Sequence, residues 1–432
     1  MNEKKNSTSL GADSLSMLFD NGNYTELGAH LKRRADSDEN EGVVCGYGPV
    51  DGRLVFAFAQ DTSRLGGAFD SRSAKKIGNL YELALKSGAP VIGVFGCSGS
   101  VVTEGASLLS GLGKLFTCIS LAAGEIPQIA LVCGSCTGSM AVAASMFDFT
   151  VSVKEAELSF GSRFAIGNDT QGTASAIEAE NESEAYARVR ALVTALPDSA
   201  DCGPAIADET DLNRPTGAVD ASDAVALISA LSDNGSFIEL YEKTGECVKA
   251  GFAPMAGRYV GMVAAYGEIT AEGARKATRL VSFCSQFGLP VITLVNSEGF
   301  EVSEKAEAEG IAAAVAELAG AYRMSAGAKL SAVVGSACGA ALPVLATREG
   351  AADVSFALEN AVIAPLTPAK AVAFLKNDEI TAEKTRPTLE SEWAETEACA
   401  EKAAADGDID FIVSLDELRP RLCSALLMLE RE

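Results

Sequence analysis

One glycine-rich motif occurs twice in the chain, about two hundred residues apart. Residues 131–140 are LVCGSCTGSM, and residues 332–341 are AVVGSACGAA. The segments before them repeat as well, since SGAPVIGV at 87–94 returns as FGLPVITL at 287–294. Such a long-range repeat indicates a duplicated domain, so the sequence predicts two halves with the same fold.

Both halves have the same predicted order of elements, in which strands alternate with helices and glycine turns follow two of the strands. The segments at 74–87 and 274–287, AKKIGNLYELALKS and ARKATRLVSFCSQF, have the apolar spacing of amphipathic helices. Alternating strands and helices predict an α/β fold. We place a flexible N-terminus at 1–13, an N-terminal domain at 14–215 and a C-terminal domain at 216–432.

The charge of the chain excludes several classes of function. Its 432 residues include 35 lysines and arginines against 59 aspartates and glutamates, for a net charge of −24. Such a field repels nucleic acid and anionic lipid, so we expect no nucleic-acid partner. No apolar segment follows the N-terminal MNEKKNSTSL, and no uncharged apolar run of about 18 residues occurs later. We therefore expect a soluble, cytoplasmic protein.

Cysteine and histidine are placed unfavourably for metal binding and for nucleophilic catalysis. The eleven cysteines lie singly in apolar segments, as reduced core thiols do. Cys133 and Cys136 form a CxxC, but no second CxxC or histidine pair accompanies them, so we predict no metal site. The only histidine, His30, lies in the polar segment ELGAHLKRR, which disfavours Ser-His-Asp and Cys-His mechanisms.

A glycine turn between a strand and a helix offers a different chemistry, based on backbone N–H groups. Glycine lets the chain approach a ligand closely, and the first N–H groups of a helix have no intrahelical acceptor. Such donors suit an anion or a developing oxyanion. Each half has two such turns, after strands that end near Phe95 and Cys133 and near Val295 and Val334. We infer one oxyanion pocket per half.

Two common nucleotide motifs are missing from the chain. No GxxxxGK followed by Ser or Thr occurs, and neither half has a GxGxxG with an acidic residue about 20 positions later. We therefore expect neither ATP nor NAD chemistry.

The glycine turns belong to longer motifs that span the chain from about residue 14 to its end. They are FAQDTSRLGG (58–67), GAPVIGVFGCSGSVVTEG (88–105), IPQIALVCGSCTGS (126–139), DLNRP (211–215), FGLPVITLVNSEGF (287–300), GSACGA (335–340) and DIDFIVSLDELRPRL (408–422). In these motifs the chain resembles the carboxyltransferase subunits of biotin-dependent enzymes. The family includes the propionyl-CoA carboxylase β subunit and the methylmalonyl-CoA decarboxylase α subunit of sodium-pumping decarboxylases.

The resemblance implies a tandem duplication of two crotonase-like (ClpP/crotonase) ββα-superhelix domains. It also implies a homo-oligomer, often a hexamer, with an active site shared between subunits. The implied cofactor is biotin, carboxylated on a separate biotin carboxyl carrier protein, and the implied substrate is an acyl-CoA. The N-terminal domain would hold the acyl-CoA enolate, and the C-terminal domain the biotin ureido oxygen. A biotin carboxylase or a membrane decarboxylase subunit would be the further partner.

The resemblance also implies which backbone groups form the two pockets. The expected catalytic donors lie on the second turn of each half, at Thr137, Gly138, Ser139, Gly339, Ala340 and Ala341. The expected substrate-binding residues lie on the first turn of each half, at Ser98, Gly99, Ser100, Gly299 and Phe300. The letters alone do not decide which N–H group faces the ligand.

The chain departs from the family pattern at several of these positions. Ser98 stands where the family has glycine, Val101 where an arginine is common, and Glu298 where a proline is common. A carboxylate at 298 would oppose negative charge on the biotin side if it were desolvated, whereas a solvent-facing one would not. We interpret Glu104 as structural rather than as a general base.

Three alternatives to a carboxylase subunit therefore remain. The same pockets serve decarboxylation, in which a membrane subunit discharges the biotin. The substitutions permit a non-catalytic assembly or CoA-binding paralogue. A hydratase is a fourth hypothesis, and it would need side-chain carboxylates such as Glu298 or Glu301 above the substrate.

Overall fold

The computed structural model describes residues 11–31, 42–97, 99–161, 175–208 and 210–429. The chain forms two compact units, unit 1 at Met1–Cys202 and unit 2 at Gly203–Glu432. Each unit contains one large sheet with helices between its parallel strands. The structure therefore confirms the predicted duplication of an α/β domain.

Unit 1 is organised around a seven-stranded sheet of order β1-β2-β3-β4-β5-β7-β9. The pairs β1–β2 and β2–β3 are antiparallel, and the strands from β3 onward pair in parallel. Strands β6 and β8 form a separate parallel pair. The strands are β1 Thr25–Leu27, β2 Val43–Val50, β3 Arg53–Gln60, β4 Val91–Phe95, β5 Gln128–Val132, β6 Ser135–Thr137, β7 Phe149–Val153, β8 Glu157–Ser159 and β9 Ile177–Ala179. The described helices are α1 Ala12–Leu18, α2 Ser71–Ser87, α3 Ala106–Ala122, α4 Ser139–Ser145 and α5 Glu182–Ala195.

Unit 2 repeats this plan with the order β10-β11-β12-β13-β14-β15-β17, and β16 pairs with β14. The strands are β10 Ile238–Leu240, β11 Val248–Met255, β12 Arg258–Ile269, β13 Val291–Phe300, β14 Lys329–Cys338, β15 Val354–Leu358, β16 Val362–Ala364 and β17 Phe411–Val413. The helices are α6 Ala224–Leu231, α7 Ala271–Gln286, α8 Glu304–Ala308, α9 Ile311–Met324, α10 Ala341–Leu345, α11 Pro368–Leu375, α12 Arg386–Thr396, α13 Ala400–Asp406 and α14 Leu415–Met428. None of the helices in the described ranges is both long enough and apolar enough to cross a membrane.

The parallel strands form the centre of each unit because helices cover both of their faces. Every residue of β4 and β5 is buried, as expected for strands without a solvent face. Helix α2 begins where the Asp70 carboxylate accepts the Ser73 N–H, and it ends at Gly88, which has φ 59°. Thr270 caps α7 in the same way. These local signals stop each helix so that the next strand starts at the sheet.

A buried ion pair anchors the start of unit 2 to its last helix. Arg419 on α14 is fully buried and lies 2.6 Å from an Asp233 carboxylate oxygen. Its guanidinium also donates to the Thr210 hydroxyl and to the Asp211 carbonyl. Because a buried charge must be compensated, this network fixes residues 210–216 on α14.

Candidate active site

Each unit has two bends, which follow the carboxyl ends of two neighbouring parallel strands. In unit 1 the first bend is residues 96–101, after β4, and the second bend is residues 133–139, after β5. In unit 2 the third bend is residues 296–301, at the end of β13, and the fourth bend is residues 335–341, at the end of β14. Carboxyl ends of parallel strands share one edge of a sheet, so the two bends of each unit lie at the same edge.

The first and third bends are closed by the same short hydrogen bond. The Gly99 N–H donates to the Cys97 Sγ over 3.1 Å, and the Gly299 N–H donates to the Ser297 Oγ over 3.1 Å. The predicted donors Gly99 and Gly299 therefore direct their N–H groups at their own bend. Ser98 lies outside the described residues. The Ser100 N–H donates to no acceptor among the described residues.

The second and fourth bends also share one hydrogen bond. The Gly138 N–H donates to the Phe160 carbonyl over 3.0 Å, and the Gly339 N–H donates to the Ala364 carbonyl over 3.0 Å. The φ angles are 61° at Gly138 and 57° at Gly339, in the region that favours glycine. These two glycines therefore provide the positive φ that each bend needs. Their own N–H groups donate to carbonyls of the protein.

The N–H groups on either side of the two glycines are oriented differently. Successive N–H groups on an extended strand alternate in direction, so the Thr137 N–H points away from β8. The first intrahelical bond of α4 runs from the Val142 N–H to the Gly138 carbonyl, which leaves the Ser139 N–H without an intrahelical acceptor. In α10 the first such bond runs from Val344 to Ala340, so the Ala341 N–H is in the same position.

The two bends of each unit touch one another. A Cβ built on Gly134 would lie only 2.9 Å from the Gly96 carbonyl oxygen, and the Cys133 N–H donates to the Phe95 carbonyl. In unit 2 the Asn296 Oδ1 accepts the Ser336 N–H over 3.0 Å. A Cβ on Gly299 would lie 3.4 Å from the Cys338 carbonyl oxygen. The two bends of each unit are therefore in direct contact.

Two of the carboxylates near the bends are hydrogen-bonded within the protein, and a third is exposed. The Glu104 Oε2 accepts the Ser71 N–H over 2.8 Å at the start of α2, in line with the structural role predicted for it. The Glu301 Oε1 accepts the Ser303 hydroxyl over 2.6 Å. Glu298 is exposed to solvent.

The thiols at the bends are held in their neutral form. Burial raises the pKa values of Cys133 and Cys136 to about 12. Burial also raises the pKa of Cys338, the nearby Glu298 carboxylate raises it further, and Lys370 opposes the shift. Within the described ranges, no group of three or more His, Cys, Asp or Glu side chains is arranged to hold a metal ion.

Some residues that shape the bends were not foreseen from the sequence. The carbonyls of Phe160 and Ala364, which bind the two glycine N–H groups, come from segments after β8 and at the end of β16. Gln60, at the end of β3, binds the first bend with its side chain. Only Gln60 has a sequence signal, because a polar side chain ends an otherwise apolar strand.

Comparison with known proteins identifies one family for the whole chain. A family model described as a carboxyl transferase domain matches residues 2–170 and 166–432. The methylmalonyl-CoA decarboxylase subunit alpha of Veillonella parvula is 30% identical over an alignment that covers 96% of this chain and 89% of that protein. A putative propionyl-CoA carboxylase beta chain of Bacillus subtilis (strain 168) is 31% identical, covering 95% and 89%.

A solved structure is similar over the same length. It is transcarboxylase 12S, described as a hexamer assembly with methylmalonyl-coenzyme A and methylmalonic acid bound. The TM-score is 0.89 at 25% identity, and the match covers 97% of this chain and 90% of that chain.

Proposed function

Since the chain belongs to the carboxyl transferase domain family, we propose that it moves a carboxyl group between biotin on a carrier protein and a short-chain acyl-CoA. The family and the crotonase-like fold class predicted from the sequence motifs are both confirmed.

The observation that carries the proposal is the matched hydrogen bonding of the four bends. In each unit a glycine at positive φ binds its own N–H to a protein carbonyl, and the neighbouring N–H groups are left without such acceptors. We assign the Thr137, Ser139 and Ser100 N–H groups to the thioester oxygen of the acyl-CoA. In the direction of carboxylation, the α-proton would pass to the biotin nitrogen that gives up the carboxyl group, and preorganised N–H donors stabilise the negative charge that the thioester oxygen then carries.

The third and fourth bends fit the ureido carbonyl of biotin. A cyclic urea needs neutral donors and close backbone approach, and the Ala340, Ala341 and Phe300 N–H groups are such donors. No Cβ at Gly299 or Gly339 obstructs the approach, because both positions are glycine. Carboxybiotin, when bound, supplies the carboxyl group, and the C-terminal domain, proposed at 216–432, stabilises negative charge on the urea oxygen.

The assembly is part of the same proposal. A biotin carboxyl carrier protein delivers the biotin, and a biotin carboxylase or a membrane decarboxylase subunit is the further partner. Because transcarboxylase 12S is described as a hexamer, we propose a homo-hexamer for this chain. Both named relatives support the pocket chemistry, although one is a decarboxylase subunit and the other a carboxylase chain.

The experiment tests the purified full chain for carboxyl transfer in both directions. Carboxylated carrier is mixed with acetyl-, propionyl- and butyryl-CoA, and uncarboxylated carrier is mixed with methylmalonyl-CoA. We expect carboxyl transfer, detected by the mass of the carrier and of the CoA thioester. No transfer in either direction by a confirmed oligomer would refute the proposal. Calorimetry with the same thioesters would then decide whether the chain is a CoA-binding paralogue or binds none of them.

A further inference from the structure

The side chain of Gln60 connects the end of β3 both to the nearby Gly67 and to the first bend, 36 residues away in the sequence. Its Oε1 accepts the Gly96 N–H over 2.9 Å and the Cys97 N–H over 3.0 Å. Its Nε2 donates to the Gly67 carbonyl over 3.2 Å. The side chain is 2% exposed, so no water competes for these bonds. Both ends of one neutral amide are therefore fixed.

We propose that Gln60 is a positioning residue, which sets the N–H groups of the first bend that face the acyl-CoA. This inference rests on the proposed function. By accepting the Gly96 and Cys97 N–H groups, Gln60 turns two successive peptides toward β3. The Gly99 N–H is taken by the Cys97 Sγ and the Val101 N–H by the Phe69 carbonyl. Among the described N–H groups of the first bend, only that of Ser100 is then without an acceptor in the described residues.

The same peptides transmit the effect of Gln60 to the second bend. An N–H and a carbonyl point in opposite directions across one peptide, so fixing the Cys97 N–H also fixes the Gly96 carbonyl. That carbonyl oxygen lies where it would contact a Cβ on Gly134 at 2.9 Å. Rotation of the peptide would therefore disturb Gly134, and with it the strand that leads to Thr137.

Unit 2 shows that this device belongs to one unit only. Phe56 pairs with Val91 in unit 1, and Gly261 pairs with Val291 in unit 2, so Ala265 is the counterpart of Gln60. Alanine has no side-chain acceptor. The third bend instead uses its own Asn296, whose Oδ1 accepts the Ser336 N–H.

The substitution Gln60→Met tests the inference, because methionine has a similar length and volume but accepts no strong hydrogen bond. Gln128→Met is the matched control. Gln128 is fully buried in the same unit, and it also uses both ends of its amide, accepting the Tyr81 hydroxyl at 2.8 Å and donating to the Ile119 carbonyl at 3.1 Å. It begins β5 at the edge of the sheet opposite to the bends.

We expect Gln60→Met to lower kcat for transfer to propionyl-CoA by about 100-fold, the effect typical of one misplaced oxyanion donor. Gln128→Met should lower Tm by as much as Gln60→Met does. It should keep kcat within about threefold of the wild type, because it leaves every proposed oxyanion donor in place. Gln60→Glu keeps one oxygen that accepts both the Gly96 and Cys97 N–H groups, and burial favours a protonated carboxyl whose O–H donates to the Gly67 carbonyl, so it should recover at least about tenfold of the lost kcat. Equal kcat losses in the two methionine variants, or a Gln60→Glu variant as slow as Gln60→Met, would overturn the inference.

Calorimetric titration with propionyl-CoA separates this inference from the proposed function. A wild-type chain that binds propionyl-CoA but transfers no carboxyl group refutes the proposed function, and the affinities then decide the role of Gln60. Weaker binding by Gln60→Met than by Gln128→Met supports the positioning role, and equal binding overturns it. A wild-type chain that binds none of acetyl-, propionyl-, butyryl- and methylmalonyl-CoA overturns both proposals, and if it binds one of the others instead, the same comparison is made with that thioester.

Discussion

Replacing Gly138 with alanine tests the second bend most directly. Gly138 has φ 61° and ψ −133°, a conformation that residues with a Cβ rarely adopt. A Cβ built there meets no heavy atom within 4 Å, so the substitution introduces backbone strain without a steric collision. Holding a residue in such a region costs about 1–3 kcal/mol. The chain can relieve this strain by rotating the peptides around residue 138.

Gly105 offers a control with the same local geometry. It has φ 58° and ψ −128°, it precedes α3 as Gly138 precedes α4, and a Cβ on it also meets nothing within 4 Å. We expect Gly105→Ala and Gly138→Ala to lower Tm alike, by about 2–4 °C for each kcal/mol in a domain of this size. The two variants therefore differ only in where the strain is placed.

The activities of the two variants should diverge. Rotation around residue 138 moves the Thr137 and Ser139 N–H groups, and a displaced oxyanion donor costs about 100- to 1000-fold in rate. The rate of Gly105→Ala should stay within a few-fold of the wild-type rate, because strain away from the reacting atoms leaves the oxyanion donors in place. The assay is carboxyl transfer from carboxylated carrier to propionyl-CoA, with Tm measured on the same samples. Equal rates in the two variants at equal Tm would refute the assignment of the second bend.

Three further predictions follow from single side chains. Burial raises the pKa of Asp148 from 3.8 to about 7, and the Gln128 N–H bond opposes the shift. The protonated carboxyl is therefore favoured by folding, and its contribution is lost as the pH rises from about 4 to 7. Asp148→Asn should stabilise unit 1 above pH 7 by up to about 4 kcal/mol, and a Tm gain that is the same at pH 5 and pH 8 would contradict this. Glu298→Gln should raise kcat by about two- to fivefold at low ionic strength and have no effect in high salt, since an exposed charge is screened. Cys97→Ser should keep kcat within about threefold, as a hydroxyl accepts the glycine N–H at Ser297, whereas Cys97→Ala should lose about tenfold or more.

Duplication could be predicted because the two halves repeat the same motifs, and secondary structure because it depends on local patterns. The apolar spacing of 74–87 and 274–287 determines which helix face packs on the sheet, and these segments form most of α2 and α7. Apolar periodicity within one element is enough to predict such features.

The direction of each N–H group could not be predicted, because its acceptor is distant in the sequence. Gln60 precedes Gly96 by 36 residues, and the carbonyl that binds the Gly339 N–H belongs to Ala364. A glycine turn shows that positive φ is accessible, but its hydrogen bonds depend on the neighbouring strands. The four glycines of the bends were therefore predicted as donors, whereas their N–H groups are bound within the protein.

The N–H groups of the first and third bends are accepted by different groups, so the two bends should respond differently to mutations in neighbouring strands. The third bend closes on Ser297, two residues before Gly299, and the Ser297 hydroxyl donates to the backbone carbonyl of Gly267 on β12 over 2.7 Å, so this bend needs no side-chain acceptor from a neighbouring strand. The first bend closes in the same way on Cys97 but also needs the amide of Gln60, which reaches it from another strand. A change at the end of β3 can therefore alter the first bend, which we propose binds the acyl-CoA, without touching a ligand. The equivalent position in unit 2 is alanine, so no such side chain can be lost from the proposed biotin side, and we expect mutations that impair only the acyl-CoA step outside the bends in unit 1.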